Sequence, residues 1–305
     1  MTHQVDAFLA DYQHVYAEGT YTTLSRQLRK IDRQLGDLRA SGAIISADYS
    51  DMTAEDVKTY GIYLRNRALS QSAIVRDLGA LRKICSYCGC NAVDRARAQY
   101  PLIFYAPGKT RLPPLSNENY STLIAALSSI QRPWALLRSA AAVAVSVGAG
   151  LRPVEVAGLR ACDVSLSKGL LTVYIVKGGL TYGKPRTVPI RPEFRPIIAR
   201  YMAQRAQAPP TISKSELMFC NPTNGGPLAA NTFRVGKSHI EDLTGIKFDF
   251  RQCRRTYAQL ALDEGAQVAS VSLVLGHTNT RTTEDAYGRI RPDMAIADIV
   301  GRWSI

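Results

Sequence analysis

Arg251 and Arg254, in RQCRRT at residues 251–256, stand one helical turn apart, so two planar guanidinium forks can point to the same place. A fork with several donors matches the oxygens of a phosphate diester. A hundred residues earlier, GAGLRPVEVAGLRACDV (148–164) puts Arg152 at the start of a helix directly after a glycine turn, with Glu155 three residues on. Alone, that pair is a salt-bridged helix start. Lys177 ends the run LTVYIVKGG and enters a glycine turn, where its side chain would project at the mouth of a hairpin. An apolar helix closes with LGH at His277, and ten residues later stands Tyr287, within GHTNTRTTEDAYGRI. Most of the fifteen tyrosines must be packing residues with a wet hydroxyl, so Tyr287 earns attention only from its company.

These residues need elements to hold them, and the chain changes character near its middle. From residue 2 to about 98 four segments carry apolar residues three and four apart: DAFLADYQHVYAE, TYTTLSRQLRKIDRQLGDLRASG, TAEDVKTYGIYLRNR and SQSAIVRDLGALRKICSYCG. They predict a four-helix module. Its second helix carries Arg26, Arg29, Lys30, Arg33 and Arg39 as one basic stripe, a DNA contact or simply a solvated charged face. YAPGKTRLPPLS, 105–116, combines prolines, a glycine and cations without periodicity, as a linker does. Beyond it NENYSTLIAALSS, capped by Ser116 or Asn117, and RPWALLRSAAAVAVSVGAG predict helices, and LTVYIVKGG and PRTVPI predict a hairpin. Helical patterns return in RPEFRPIIARYMAQRA, NTFRVGKSHIEDLTG, RRTYAQLALDEG and QVASVSLVLGH, which makes this half α+β and mostly helix. The division is then 1–104, a linker at 105–116, and 117–305.

Composition narrows the partners. Lys and Arg number 38 against 25 Asp and Glu, a net +13 that favours a polyanion, whether nucleic acid or an acidic membrane surface. The longest apolar run, SAAAVAVSVGAGL, is too short to span a bilayer. MTHQVDAFLADYQ has Asp6 and Asp11 where a signal peptide would be basic and apolar, so a cytoplasmic location is expected. CSYCGC at 85–90 has no second ligand pair at zinc spacing, and Leu81, Ile84, Cys85 and Cys88 share a helix face, so packing is expected there rather than metal.

In their order along the chain, these motifs resemble the tyrosine recombinases, the family of Xer recombinases and phage integrases. GLRPVE matches the first arginine box, the strand lysine is followed by a second strand with R-x-V-P, R-R-T-Y-A continues the second arginine box, and LGH and a late tyrosine follow. The resemblance implies an all-α, SAM-like core-binding domain at 1–104 and a mainly α catalytic domain with a small antiparallel sheet at 117–305. It implies that Arg152 and Arg254 hold the scissile phosphate, Lys177 protonates the leaving 5′ oxygen, His277 donates to the phosphate and Tyr287 is the nucleophile, while Glu155 supports these side chains. Arg26, Arg29, Lys30 and Arg33 become candidate DNA contacts. The implied activity is site-specific recombination of double-stranded DNA through a 3′-phosphotyrosine and Holliday-junction exchange, by a tetramer on two sites, with no cofactor, metal, ATP or membrane. Two features depart from the family pattern. Arg251 replaces the usual histidine three residues before Arg254, and a permanently charged arginine can only donate. The step from His277 to Tyr287 is one residue longer than usual, which a loop absorbs. A DNA-binding regulator of the same fold that has lost strand transfer, and a type IB topoisomerase-like cleavage and resealing, are the alternatives. The tail at 291–305 carries Met294, Ile296, Ile299, Val300 and Trp303 as one apolar face of a short helix beginning near Pro292, docking either on its own domain or on a neighbouring protomer.

Overall fold

The computed structural model describes residues 2–105, 112–174 and 185–276. The chain divides into two compact units, residues 1–110 and 111–305.

The first unit is all helix: α1 (Thr2–Tyr12), α2 (Glu18–Ala40), α3 (Ala54–Asn66), α4 (Gln71–Tyr87), α5 (Ala92–Gln99) and α6 (Pro101–Phe104). The helices α2, α3 and α4 fall where the apolar spacing predicts them, whereas α1 begins four residues before its predicted segment at 6–18 and ends at Tyr12, with a turn over 13–15. The expected four-helix module nevertheless gains two short helices at its end, because Ala92, Val93 and Ala96 are just enough apolar surface to seat α5, and Pro101 opens α6. Phe8, Leu28, Ile31, Leu35, Tyr60, Leu64, Leu78 and Leu81 build the core. Helix starts are fixed by side chains: Thr53 Oγ1 accepts from the Asp56 N–H at 3.1 Å while Asp56 accepts from the Thr53 N–H at 2.9 Å, and Ser70 accepts from the Ala73 N–H. Cys85 and Cys90 pack against Met52, with Cys90 donating to the Met52 carbonyl at 3.3 Å.

The second unit surrounds one helix. Its elements are α7 (Asn117–Ser129), α8 (Trp134–Gly148), α9 (Pro153–Ala157), β1 (Val164–Ser165), β2 (Leu170–Val173), β3 (Arg186–Pro189), α10 (Arg195–Ala206), α11 (Pro210–Ser213), α12 (Ala230–Thr244), α13 (Phe250–Asp263) and α14 (Val268–Leu275). Ser116 caps α7. The alanine- and valine-rich α8 is buried from Ala140 to Gly148, and α7, α10, α12 and α13 pack around it. Small side chains on every face let four helices approach one axis. The predicted hairpin is β2 with β3, antiparallel, pairing Leu171 with Val188 and Val173 with Arg186; β1, too short for its pattern to register, adds a third strand. The end of the expected linker is bonded to α13, since Gln252 Nε2 donates to the Pro113 carbonyl at 2.7 Å and Thr256 Oγ1 accepts from the Leu115 N–H at 2.9 Å. No helix among the described residues is long and apolar enough to cross a membrane.

Gly150 turns the chain from α8 into α9 at φ +62°, and a Cβ there would stand 2.8 Å from the Tyr257 ring. Both the left-handed backbone and the contact demand glycine. Gly150→Ala is expected to cost on the order of 2 kcal/mol, read as a lower midpoint of denaturant unfolding; an unchanged midpoint would show that neither the left-handed backbone nor the Tyr257 contact requires glycine there.

Candidate active site

The glycine turn at 150 delivers Arg152 to the first position before α9, where Pro153 presets the helical φ. Glu155 folds back on that start. Its Oε2 accepts from the Arg152 N–H at 2.8 Å and its Oε1 from Arg152 Nη1 at 2.9 Å. The same carboxylate receives a second arginine from the sheet: Arg186 Nη1 donates to Oε1 at 3.1 Å and Nη2 to Oε2 at 2.8 Å, a two-pronged pair. A third comes from α13, with Arg254 Nη1 at 3.8 Å from Oε2. Glu155 is only 1% exposed. Burial works against its charge, but the hydrogen bonds from Arg186 and the Arg152 N–H, with the Arg186 and Arg254 charges, prevail and hold its carboxyl below the usual glutamate range.

Arg254 is 7% exposed, and its Nη1 and Nη2 donate to the carbonyls of Gly150 at 3.0 Å and Leu275 at 2.5 Å. Arg186 Nε donates to the Val274 carbonyl at 2.8 Å. Two carbonyls at the C-terminal turn of α14 are thereby taken by arginines bound to Glu155, where a helix presents unpaired acceptors and the negative end of its dipole. Gly276, at φ +66°, ends α14, and a Cβ on it would sit 3.0 Å from the Arg186 side chain. Arg152 keeps 28% of its side chain exposed, more than Arg186 or Arg254.

Of the residues singled out in the sequence, Arg152, Glu155 and Arg254 therefore meet around one carboxylate. Arg251 lies exposed on the first turn of α13 and is not among the three arginines that meet there. Lys177, His277, Tyr287 and the tail at 291–305 lie outside the described residues. Tyr257 is buried, its hydroxyl donating to the Pro189 carbonyl at 3.2 Å, and burial pushes its pKa up to about 12. Arg186 was missed as a site residue. The signal was available: it stands two residues before the buried Val188 in a strand, on the same face, and a cation on a buried face needs a carboxylate.

The sequence profile of the phage integrase family matches residues 114–293. The chain belongs to the phage integrase family, the tyrosine recombinases. Among its relatives, the tyrosine recombinase XerD of Corynebacterium glutamicum is 30% identical over 274 residues, covering 86% of each chain. XerA of Pyrococcus furiosus is 28% identical over 233 residues, covering 76% of this chain and 75% of its own. The fold is that of the Tn1549 transposon integrase solved with transposon right end DNA, at a TM-score of 0.70 and 17% identity over 97% of this chain and 98% of that one. The mainly helical catalytic fold with its three-stranded antiparallel sheet is the one this family uses.

The basic stripe on α2 divides in two. Arg26, Arg29 and Arg33 are exposed at helical spacing on one face, Arg29 lying 3.6 Å from the exposed Asp6. Lys30 instead pairs at 2.5 Å with Asp77, which is 2% exposed and also accepts from Gln27, and Arg39 donates to the Ser46 carbonyl. Lys30 thus neutralises a buried carboxylate of its own unit.

A group whose folded-state pKa is depressed stabilises fully above its unfolded value and loses that contribution as pH falls through the folded one. Glu155→Gln is therefore expected to destabilise by about 3 kcal/mol at pH 7, with the gap to the wild type closing below the ordinary glutamate pKa of about 4.3. Paired unfolding titrations from pH 7 to 3 check this, and a gap independent of pH would mean that the charge on Glu155 is not what the arginines use.

Proposed function

We propose that this chain is a site-specific DNA recombinase that cuts and rejoins strands through a covalent 3′-phosphotyrosine. The observation that carries the reading is the convergence of Arg152 and Arg254, a hundred residues apart in sequence, on one buried Glu155, inside the stretch that matches the family. A phosphodiester repels nucleophiles, and its pentavalent transition state spreads charge over the non-bridging oxygens. Cations held rigidly beside those oxygens stabilise that state more than the ground state. Arg152 and Arg254 take that role, with Arg251 as a further donor that cannot serve as a base. The phenol oxygen of Tyr287 attacks phosphorus as its proton passes to solvent water, the P–O5′ bond breaks, and Lys177 supplies the proton that lets the 5′ oxygen leave as an alcohol. His277 donates to the phosphate. Attack by a 5′ hydroxyl on the phosphotyrosine reverses the step, so the bond energy is kept and no nucleotide is consumed. Exchange between two duplexes through a Holliday junction needs a tetramer on two sites, the assembly we assign to this chain. The first unit, residues 1–104 in this reading, is the core-binding domain, contacting DNA through Arg26, Arg29 and Arg33.

The test of the chemistry is Tyr287→Phe. This variant is expected to bind the site recovered from random duplexes as the wild type does, yet to form no covalent complex with a nicked suicide substrate. A wild-type yield of adduct would remove Tyr287 from the mechanism.

The contribution of α2 is read from salt. Neutralising Z phosphates gives a log–log slope of affinity against salt of about −0.9Z, so replacing Arg26, Arg29 and Arg33 by alanine is expected to make the slope shallower without altering site preference. Lys30 is left in place because Asp77 depends on it. A slope equal to the wild type would return this face to solvent.

A further inference from the structure

We propose that Arg186, the first residue of β3, is a positioning residue that fixes the last turn of α14 against Glu155, and with it the carboxylate that holds Arg152 and Arg254. The proposal rests on the recombinase reading above and adds to it a side chain that touches no substrate.

The geometry gives Arg186 two tasks at once. Its fork grips both oxygens of Glu155, at 3.1 and 2.8 Å, and its Nε holds the Val274 carbonyl at 2.8 Å. The next carbonyl, Leu275, is held by Arg254, which lies against the same Glu155. Two arginines from different elements, β3 and α13, therefore clamp the last turn of α14 to the carboxylate that also fixes Arg152. The side chain of Arg186 runs beside Gly276, whose missing Cβ allows the approach, and His277 is the next residue. Without Arg186, Val274 loses a donor, Glu155 loses its two-pronged partner, and α14 is tied to the site through Arg254 alone among these contacts. A lysine cannot replace it. One ammonium reaches either the carboxylate or the carbonyl, whereas the planar guanidinium reaches both with fixed angles. Displacements of about 1 Å at a catalytic group cost about 100-fold in rate, so such a clamp should act on the rate of cleavage and leave recognition of the site alone.

The full-length protein is compared with Arg186→Met and Arg186→Lys on a nicked duplex carrying the selected site. Arg186→Met is expected to bind as the wild type does and to cleave about 100-fold more slowly in a single turnover; Arg186→Lys should fall between the two. Two readouts separate positioning from general weakening. Amide exchange should quicken at residues 273–276 while α8 stays protected. The cleavage rate of Arg186→Met should also gain an acid limb, because Glu155 then faces only Arg152 and Arg254 among the cations seen around it, and its burial favours the neutral form. Adding Glu155→Gln to that variant should abolish the limb. Wild-type cleavage by Arg186→Met, or exchange that quickens equally in α8, would overturn the proposal. If Arg186→Met does not fold, Arg186→Lys carries the same comparison. If the wild type itself forms no adduct, the recombinase reading fails, and the exchange measurement still decides whether Arg186 holds α14.

Discussion

A single carboxylate organises the second unit. Glu155 is sealed from water, and a buried charge of that kind is tolerated only when partners replace the lost hydration. Its partners come from the turn before α9, from β3 and from α13, so α9, β3 and α13 must come together before the charge is compensated. Three guanidinium groups around one carboxylate also leave an excess of positive charge in place, held in a setting of low polarisability where it acts strongly on an incoming anion. The cost of that excess is met by packing elsewhere, above all by α8, whose small side chains let four helices close around it.

The arrangement also explains why the arginines differ in character. Arg186 and Arg254 are nearly enclosed, with hydrogen bonds to main-chain carbonyls, and serve as much to tie elements together as to supply charge. Arg152 is more open, and Arg251 is exposed on the first turn of α13. A site built this way presents charge at its surface from side chains whose bases are anchored, and in the recombinase proposed above this would limit the rearrangement needed when a phosphate arrives.

Much of this was legible in the sequence. The long amphipathic helices declare themselves by spacing, and GLRPVE states its own helix start, with a glycine to turn, a proline to begin and a glutamate to fold back. What was not legible depends on distance in sequence. Nothing local says that Arg186 meets Glu155, 31 residues earlier, although its place beside the buried Val188 shows that it needed an anion somewhere. The basic stripe on α2 looked uniform because periodicity cannot see Asp77 arriving from α4 to claim Lys30. Two-residue β1 and four-residue α6 are too short to leave a pattern at all. Each of these is decided by tertiary contact rather than by propensity.

The attachment of the linker to α13 has a mechanical side. Gln252 and Thr256, which hold Pro113 and Leu115, flank Arg254 at two residues on either side. The two bonds therefore join the stretch at 113–115 to α13 on both sides of Arg254. Because Leu115 also packs in the apolar core, a displacement of this stretch would load α13 beside Arg254 and the core together.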